Sequence, residues 1–187
     1  MSAEDIAQLK ADNVPGAGDM SQFRFFTNDF DTNTNGIDLV ISTSTDWLGV
    51  TAAWNLAYNK TTTEITSRGD TIDAERERRI EDMTPDTRWN LSANHMMDKW
   101  RMLARLSSYS DWYDSNEGLD YSGEMVVDLE LSYTLNENSS VMLGGNNVLD
   151  EAGDTLHDPL SYGNKYSQFA PMGFSGAFWY AKYGYNF

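Results

Sequence analysis

Few residues in this sequence have side chains suited to catalysis or to tight metal binding. The 187 residues include no cysteine, which excludes disulfides, thiolate metal sites and a cysteine nucleophile. The two histidines, His95 and His157, lie far apart in the chain, and no GxSxG, HExxH or P-loop motif occurs. The sequence therefore predicts a protein that is not an enzyme and uses no cofactor.

One short segment resembles part of a calcium-binding loop. Residues 31–36 read D-x-N-x-N-G, the first half of an EF-hand loop. The twelfth position of such a loop is a bidentate glutamate, but here that position is Ser42. Because aspartate, asparagine and glycine favour turns, we interpret the segment as a turn and predict no metal site.

Aromatic side chains in long polar segments are the candidates for ligand contact. Binding residues are often carried by loops that a rigid scaffold holds in place, and these rings fall between predicted strands. The predicted ligand-contacting residues are Trp112, Tyr113, Tyr121, Tyr162 and Tyr166.

Acidic residues outnumber basic ones by 29 to 13, which gives a formal net charge of -16. Phosphate binding requires clustered lysine and arginine, so we expect no nucleic-acid partner. Residues 70–82 include carboxylates suited to a cationic or metal-complexed substrate: Asp70, Asp73, Glu75, Glu81 and Asp82. The alternative is a solvated loop that Arg76, Arg78 and Arg79 partly neutralise.

The elements that must position these residues are strands, because apolar and polar residues alternate along the chain. In residues 124–135 one face holds Met125, Val127, Leu129, Leu131, Tyr133 and Leu135. The other face carries charge at Asp128 and Glu130, and this period of two predicts a strand. Similar patterns, some weaker, occur at residues 23–28, 37–42, 48–59, 88–97, 100–107, 141–143 and 177–187. We predict about eight antiparallel strands, most of them near the 9–11 residues of a tilted membrane strand.

The connections between these strands alternate in length. Short turns are predicted at residues 45–47, 97–99 and 136–139, and long polar segments at 60–86, 111–123 and 150–173. Short turns at one end and long loops at the other are typical of an outer-membrane barrel. Only residues 3–10 have a helix-like pattern, and a turn is predicted near residues 73–80, where charges cluster.

A soluble antiparallel sandwich also alternates, and three features favour the membrane barrel over it. The polar face stays polar along whole strands, and aromatic residues such as Trp89 and Tyr133 lie near strand ends, where interface girdles occur. The chain also ends on Phe187, which continues the alternation where a free terminus is usually frayed.

His95 falls on the apolar face, so we expect it to pack or to meet lipid. His157 lies in an acidic loop, and we expect it to be solvated.

Five segments resemble motifs of TonB-dependent outer-membrane receptors. Residues 34–39 resemble the TxGxD/E strand start, residues 85–88 the Pro-x-x-Arg start of a descending strand, and residues 126–133 the VxDLxxxY strand. Residues 144–150 resemble the GxxNLFD strand end, with Val-Leu in place of Leu-Phe. Residues 173–187, which read GFSGAFWYAKYGYNF, resemble the strand that closes the barrel.

The resemblance implies energy-coupled uptake of a siderophore, a vitamin or an oligosaccharide across a bacterial outer membrane. It implies four partners: membrane lipid, the barrel-assembly machinery, a TonB-type coupling protein, and a small-molecule or metal-chelate ligand. It also implies that Tyr183, Tyr185 and Phe187 form an assembly signal. The sequence shows no plug, coupling box or signal peptide, and the family's barrel has about 22 strands. We therefore expect a C-terminal piece of such a receptor, in which residues 1–20 are a non-barrel N-terminal segment or a truncated loop and residues 21–187 form the C-terminal strands of the barrel.

Two other interpretations remain open from the sequence. A complete eight-stranded barrel with a structural or adhesion role is compatible with the strand count, since eight strands can close. A soluble sandwich that binds carbohydrate is the second. The receptor fragment and the small complete barrel share one predicted fold class, which is all-β with antiparallel transmembrane strands.

Overall fold

The computed structural model describes residues 3–15, 28–47, 49–69 and 71–187. Its nine strands are β1 (Phe30–Trp47), β2 (Val50–Arg68), β3 (Thr87–Met97), β4 (Trp100–Tyr109), β5 (Trp112–Asp114), β6 (Leu119–Tyr121), β7 (Met125–Asn136), β8 (Ser139–Asn146) and β9 (Phe178–Tyr185). Seven of them form one antiparallel sheet in the order β1-β2-β3-β4-β7-β8-β9, and β5 and β6 form a separate hairpin.

Three helices accompany the strands: α1 (Ala3–Ala11), α2 (Ala74–Glu81) and α3 (Pro159–Tyr162). The helix predicted at residues 3–10 is present as α1, and the turn predicted near residues 73–80 is part of a longer element, helix α2. The boundary predicted near residue 21 lies outside the described residues. None of the described helices is long and apolar enough to cross a membrane.

The cross-strand register gives the seven-stranded sheet one apolar and one polar face. Leu131 of β7 pairs with Met102 of β4 and with Leu143 of β8. One residue earlier, Glu130 pairs with Leu103 and with Gly144, and falls on the opposite face. Because side chains alternate along a strand, this register places most of the apolar positions of β4, β7 and β8 side by side on one face. The predicted antiparallel sheet with two distinct faces is confirmed.

The apolar face of this sheet is exposed, whereas its polar face is partly enclosed. Leu129 is 45% exposed, Leu143 57% and Trp179 59%, but the side chain of Glu130 is only 14% exposed. Among the described elements, only α2 packs on the sheet apart from the strands themselves, and it contacts β2. A water-soluble sheet buries its apolar side, whereas the strands of a membrane barrel expose theirs, and the exposure found here follows the second pattern.

The first two strands are longer than the sequence pattern predicts. The turn predicted at residues 45–47 lies within β1, and the chain reverses between Trp47 and Val50, where Gly49 has a φ of 79°. The turn predicted at residues 31–36 is also wrong, because these residues pair with β2 as part of β1. β2 likewise continues through the predicted loop as far as Arg68. Backbone pairing maintains this stretch although its threonine-rich sequence lacks apolar alternation.

Strands β1 and β9 form the two edges of the sheet, which is open in the described part of the chain. An open sheet favours strands of a larger barrel over a small closed barrel of eight strands. Seven strands of the sheet correspond to predicted ones. Of the additional strand predicted at residues 23–28, residues 23–27 lie outside the described residues. The β5–β6 hairpin was not predicted.

Candidate ligand-binding surface at the loop end of the sheet

The three long connections of the sheet lie at the same end. They follow β2, β4 and β8, whereas the short turns after β1, β3 and β7 lie at the other end. Because neighbouring strands are antiparallel, every second connection lies at the same end of the sheet. The loop residues predicted to contact a ligand are therefore concentrated at this end.

The β5–β6 hairpin brings two of the predicted aromatic residues into a small core. Trp112 and Tyr121 are cross-strand partners, and their ring centroids lie 5.1 Å apart with the rings nearly parallel, at 22°. Leu156 from the β8–β9 loop is buried against them, and Phe169 packs at the side. Stacked rings of this kind contribute about 0.5–1.5 kcal/mol beyond the area that they bury.

Tyr113 joins this hairpin to helix α2. The Arg78 guanidinium lies over the Tyr113 ring at 4.1 Å and forms ion pairs with Asp120 and, at 3.2 Å, with Asp82. Hydrogen bonds to Asp120 and Asp82 raise the pKa of Arg78 above its ordinary value. The α2 helix begins after Asp73, whose carboxylate accepts a hydrogen bond of 2.8 Å from the Arg76 N–H. One arginine thus ties the first long loop to the second.

These three rings are almost fully enclosed. Trp112 is 4% exposed, Tyr113 3% and Tyr121 6%. In this arrangement the rings hold the loops together, and contact with a ligand would require the loops to open. Their role in ligand binding stays a prediction.

The other two predicted aromatic residues lie in the β8–β9 loop. Tyr166 forms an isolated bridge with Thr155, and its hydroxyl lies 2.9 Å from the Lys165 ammonium nitrogen. Tyr162 ends the short helix α3, and its side chain lies outside the described part of the structure. Ligand contact by these two residues also stays a prediction.

Glu117 connects the hairpin to the third long loop, a role that the sequence did not indicate. Its Oε2 accepts hydrogen bonds from the Tyr121 hydroxyl at 2.6 Å and from the His157 N–H at 2.7 Å, and its Oε1 accepts one from the Asp158 N–H at 3.2 Å. Burial alone would raise the pKa of Glu117, but these hydrogen bonds outweigh it and the pKa is lowered. Burial, together with the hydrogen bond to Glu117, raises the pKa of the Tyr121 phenol. His157 is exposed at its side chain, as predicted.

A buried carboxylate forms a second link between the same two loops. Asp114 is 2% exposed and accepts hydrogen bonds from the Ser167 hydroxyl and, at 2.8 Å, from the Asn116 N–H. A buried charge needs such donors to offset its desolvation. Within the described ranges, no three His, Cys, Asp or Glu side chains are arranged so that they could hold a metal ion.

Most of the acidic residues singled out in residues 70–82 have structural partners. Asp73 caps α2, Asp82 pairs with Arg78, and Glu81 accepts a hydrogen bond of 2.7 Å from the Ile65 N–H at the free edge of β2. Asp70 lies outside the described residues. The solvated loop partly neutralised by arginine is therefore the better interpretation of this segment.

A polar groove of about 440 Å³ lies beneath the loops, against the polar face of the sheet. Its wall comes from β3, β4, β7 and β8, and its roof from residues 172–176 of the β8–β9 loop. The polar side chains of this wall are Arg88, Arg105, Ser107, Tyr109, Asp128 and Asn146. No residue of this groove was among the ligand-contacting residues predicted from the sequence, because strand residues gave only an alternation signal.

The residues of the predicted assembly signal lie at the edge strand β9 and just beyond it. Tyr183 is 65% exposed, Tyr185 51%, and Phe187 lies beyond the last paired residue, fully exposed. The Tyr185 and Phe187 rings meet edge to face at 5.0 Å. Their place on the apolar side agrees with the sequence pattern, and their role in assembly stays a prediction.

Comparison with known families gives a match over most of the chain. Residues 4–148 match the family model described as TonB dependent receptor-like, beta-barrel. No curated protein and no solved structure matched the chain. The matched range includes β1 to β8 and most of the loop assembly, and it confirms the family that the sequence motifs suggested. The chain belongs to the TonB-dependent receptor-like β-barrel family.

Proposed function

We propose that this chain forms part of the wall and outer loops of a receptor for energy-coupled nutrient uptake. The observation that carries the proposal is the family match over residues 4–148. This family consists of transporters rather than enzymes, and membership implies a bacterial outer membrane and a TonB-type partner. A siderophore, a vitamin or an oligosaccharide is the substrate in this proposal.

The two faces of the sheet support this assignment. The exposed apolar face suits contact with lipid, and the polar face suits the wall of an aqueous passage. That polar face is balanced in charge, with Arg88, Arg101, Arg105 and Lys182 against Asp38, Asp46, Asp128 and Glu130. The net negative charge of the chain is therefore carried mainly by its loops and turns.

The loop assembly supports a binding role at the outer end. Three loops are joined through Arg78, Glu117 and Asp114, and residues 172–176 of the third loop cover the polar groove. Binding sites commonly occur where loops meet on a rigid scaffold. Lipid and the barrel-assembly machinery complete the partners in this proposal, with β9 and Phe187 as the contact for assembly.

An uptake experiment tests the proposal. Cells with and without the intact gene receive radiolabelled ferric siderophores, cobalamin or maltodextrin, each with and without a protonophore. We expect gene-dependent accumulation of one substrate class that the protonophore abolishes, because uptake in this family draws on the inner-membrane energy supply. Equal accumulation of every substrate in both strains would contradict the proposal.

A further inference from the structure

Two arginines of the polar groove are placed to hold a ligand. Arg88 on β3 pairs across the sheet with Tyr109 on β4, and Arg105 lies four residues earlier on that same strand. At about 3.3 Å per residue, these positions are about 13 Å apart along the sheet. Both side chains line the same groove, at separate points of its strand wall.

Arg88 is oriented by an aromatic ring. Its guanidinium lies over the Tyr109 ring at 5.1 Å. In the described part of the chain, no carboxylate lies within 4.0 Å of this guanidinium. A stacked guanidinium keeps its N–H donors in a planar fork that matches a carboxylate or a phosphate. Arg88 therefore presents oriented donors to the groove.

Arg105 is only weakly committed to a protein partner. Its nearest carboxylate oxygen, on Asp128, is 3.8 Å away, and half of the Arg105 side chain is exposed. The Asp128 carboxylate already accepts a hydrogen bond of 2.9 Å from the Asn147 N–H. Arg101, by contrast, holds Glu130 at 3.2 Å and Asn94 at 3.0 Å. An arriving anion can therefore engage Arg105 without breaking a short ion pair.

The rest of the groove suits a small molecule with an anionic group. Ser107, Tyr109 and Asn146 supply hydroxyl and amide groups, and Val126 and Met172 supply an apolar surface. Its volume of about 440 Å³ lies within the range usual for small-molecule sites, about 300–1,000 Å³. The lining has two arginines and one aspartate, so its formal charge is positive. Charges farther away than about 8 Å are largely screened at physiological salt, so the net negative charge of the chain has little effect on an anion in the groove.

We propose that this groove binds the carboxylate or phosphate group of a small anionic ligand through Arg88 and Arg105. The inference rests on the proposed function in one respect, since it gives the substrate of the uptake receptor an anionic group. The neutral groups of the groove then contact the remainder of the ligand.

Direct binding to the purified full gene product in detergent tests the inference, with citrate and inorganic phosphate as probes and maltotriose as a neutral comparison. A charge-assisted hydrogen bond to arginine accounts for roughly a tenfold to hundredfold change in affinity. We expect calorimetry to show binding of at least one anion, weakened about tenfold by Arg88→Gln or Arg105→Gln and further by the double variant. Binding should also weaken as sodium chloride is raised.

Lys182→Gln is the matched control, because it removes one positive charge from the same polar face outside the groove. We expect wild-type affinity for the anion in this variant. Arg88→Lys keeps the charge but loses the planar fork, and it should bind with intermediate affinity. A shift in electrophoretic mobility on heating verifies that each variant is folded before binding is measured.

Wild-type anion affinity in a folded Arg88→Gln/Arg105→Gln protein would overturn the inference. If the melting temperature of that variant were also lower, acidic groups of the protein itself would occupy the arginines. Because binding is measured without transport, arginine-dependent binding in a protein that fails the uptake experiment would reject the proposed function alone.

Discussion

Glu117 shows how much of the loop assembly depends on one side chain. Its two carboxylate oxygens accept three hydrogen bonds, from Tyr121 within the hairpin and from the backbone of His157 and Asp158 about 40 residues along the chain. Hydrogen bonds to a charged acceptor are roughly twice as strong as neutral ones. The contact that Glu117 makes with the third loop therefore depends on the ionised form of this residue.

Acidification should release this contact. The pKa of Glu117 is lower in the folded protein than its ordinary value of 4.5. Its contribution to stability is therefore present above pH 4.5 and is lost as the pH falls through the lowered value. We expect the amide protons of His157 and Asp158, measured by hydrogen exchange, to lose protection below pH 4.5 in the wild type. In Glu117→Gln their protection should be weak at every pH.

Glu137→Gln provides the control for that experiment, because Glu137 lies in the short turn between β7 and β8 at the opposite end of the sheet. We expect wild-type exchange at His157 and Asp158 in this variant. Equal pH dependence in the wild type and Glu117→Gln would show that Glu117 does not control the contact.

At the scale of elements, two glycines of β8 determine how the edge strand β9 packs. Gly144 pairs with Tyr180, and the Tyr180 ring covers it on the polar face of the sheet. Gly145 pairs with Trp179, and the Trp179 ring covers it on the apolar face. The Tyr180 hydroxyl also donates a hydrogen bond of 3.1 Å to Glu130 on β7, across the intervening strand. Because Gly144 has no side chain, the Tyr180 ring can lie over its backbone and reach that carboxylate.

Gly144→Ala should weaken the packing of β9. An added Cβ would overlap the Tyr180 ring and force it to move, which costs about 1–3 kcal/mol in a well-packed site. We expect this loss in denaturant unfolding of the protein folded into lipid vesicles. Gly184→Ala on the same face meets only the flexible Ser140 hydroxyl, so its effect should stay within about 0.5 kcal/mol. Equal stability of the two variants would rule out this role for Gly144.

The strands within the sheet were predictable because apolar and polar residues alternate wherever the two faces of a sheet differ in environment. The odd-numbered apolar residues of β7, such as Leu129 and Leu131, predicted that strand directly. The C-terminal part of β2, residues 61–68, was missed because threonine occurs there on both faces of the strand and the apolar alternation is absent.

The contacts that join the three long loops could not be predicted from the sequence, for a different reason. The three-residue strands β5 and β6 are too short for a period of two to be recognised. The contacts of Glu117 and Asp114 join residues about 40 to 53 positions apart, and nothing local in either segment marks its partner. The groove arginines Arg88 and Arg105 likewise came together only through the register of β3 and β4.

At the scale of the whole molecule, the sheet has its apolar side exposed, whereas Glu130 on its charged side is sheltered. Met142 and Leu143 are neighbours in β8 on opposite faces, and Leu143 is 57% exposed. A sandwich would require a second layer on the apolar face, and among the described elements only the loop-end helix α2 packs on the sheet. Lipid is the solvent that suits this face.

A pair of arginine substitutions tests which face meets the bilayer. Leu143→Arg should destabilise the protein in vesicles by about 2–4 kcal/mol, the cost of a cation at the lipid-facing midplane. Met142→Arg places the same side chain on the polar face, so its effect should be clearly smaller. Denaturant unfolding in vesicles measures both, and an equal loss of stability in the two variants would contradict the assignment of faces.

The hydrogen bond that spans β8 also has a mechanical consequence. If Phe187 were pulled away from the sheet, β9 could not unzip one residue at a time past Tyr180, because the load would pass to Glu130 on β7. Glu130 is held in turn by Arg101 on β4. Tension at the end of the chain would thus reach β7 and β4 as well as β8, and the force needed to peel β9 away should rise when the separation reaches Tyr180.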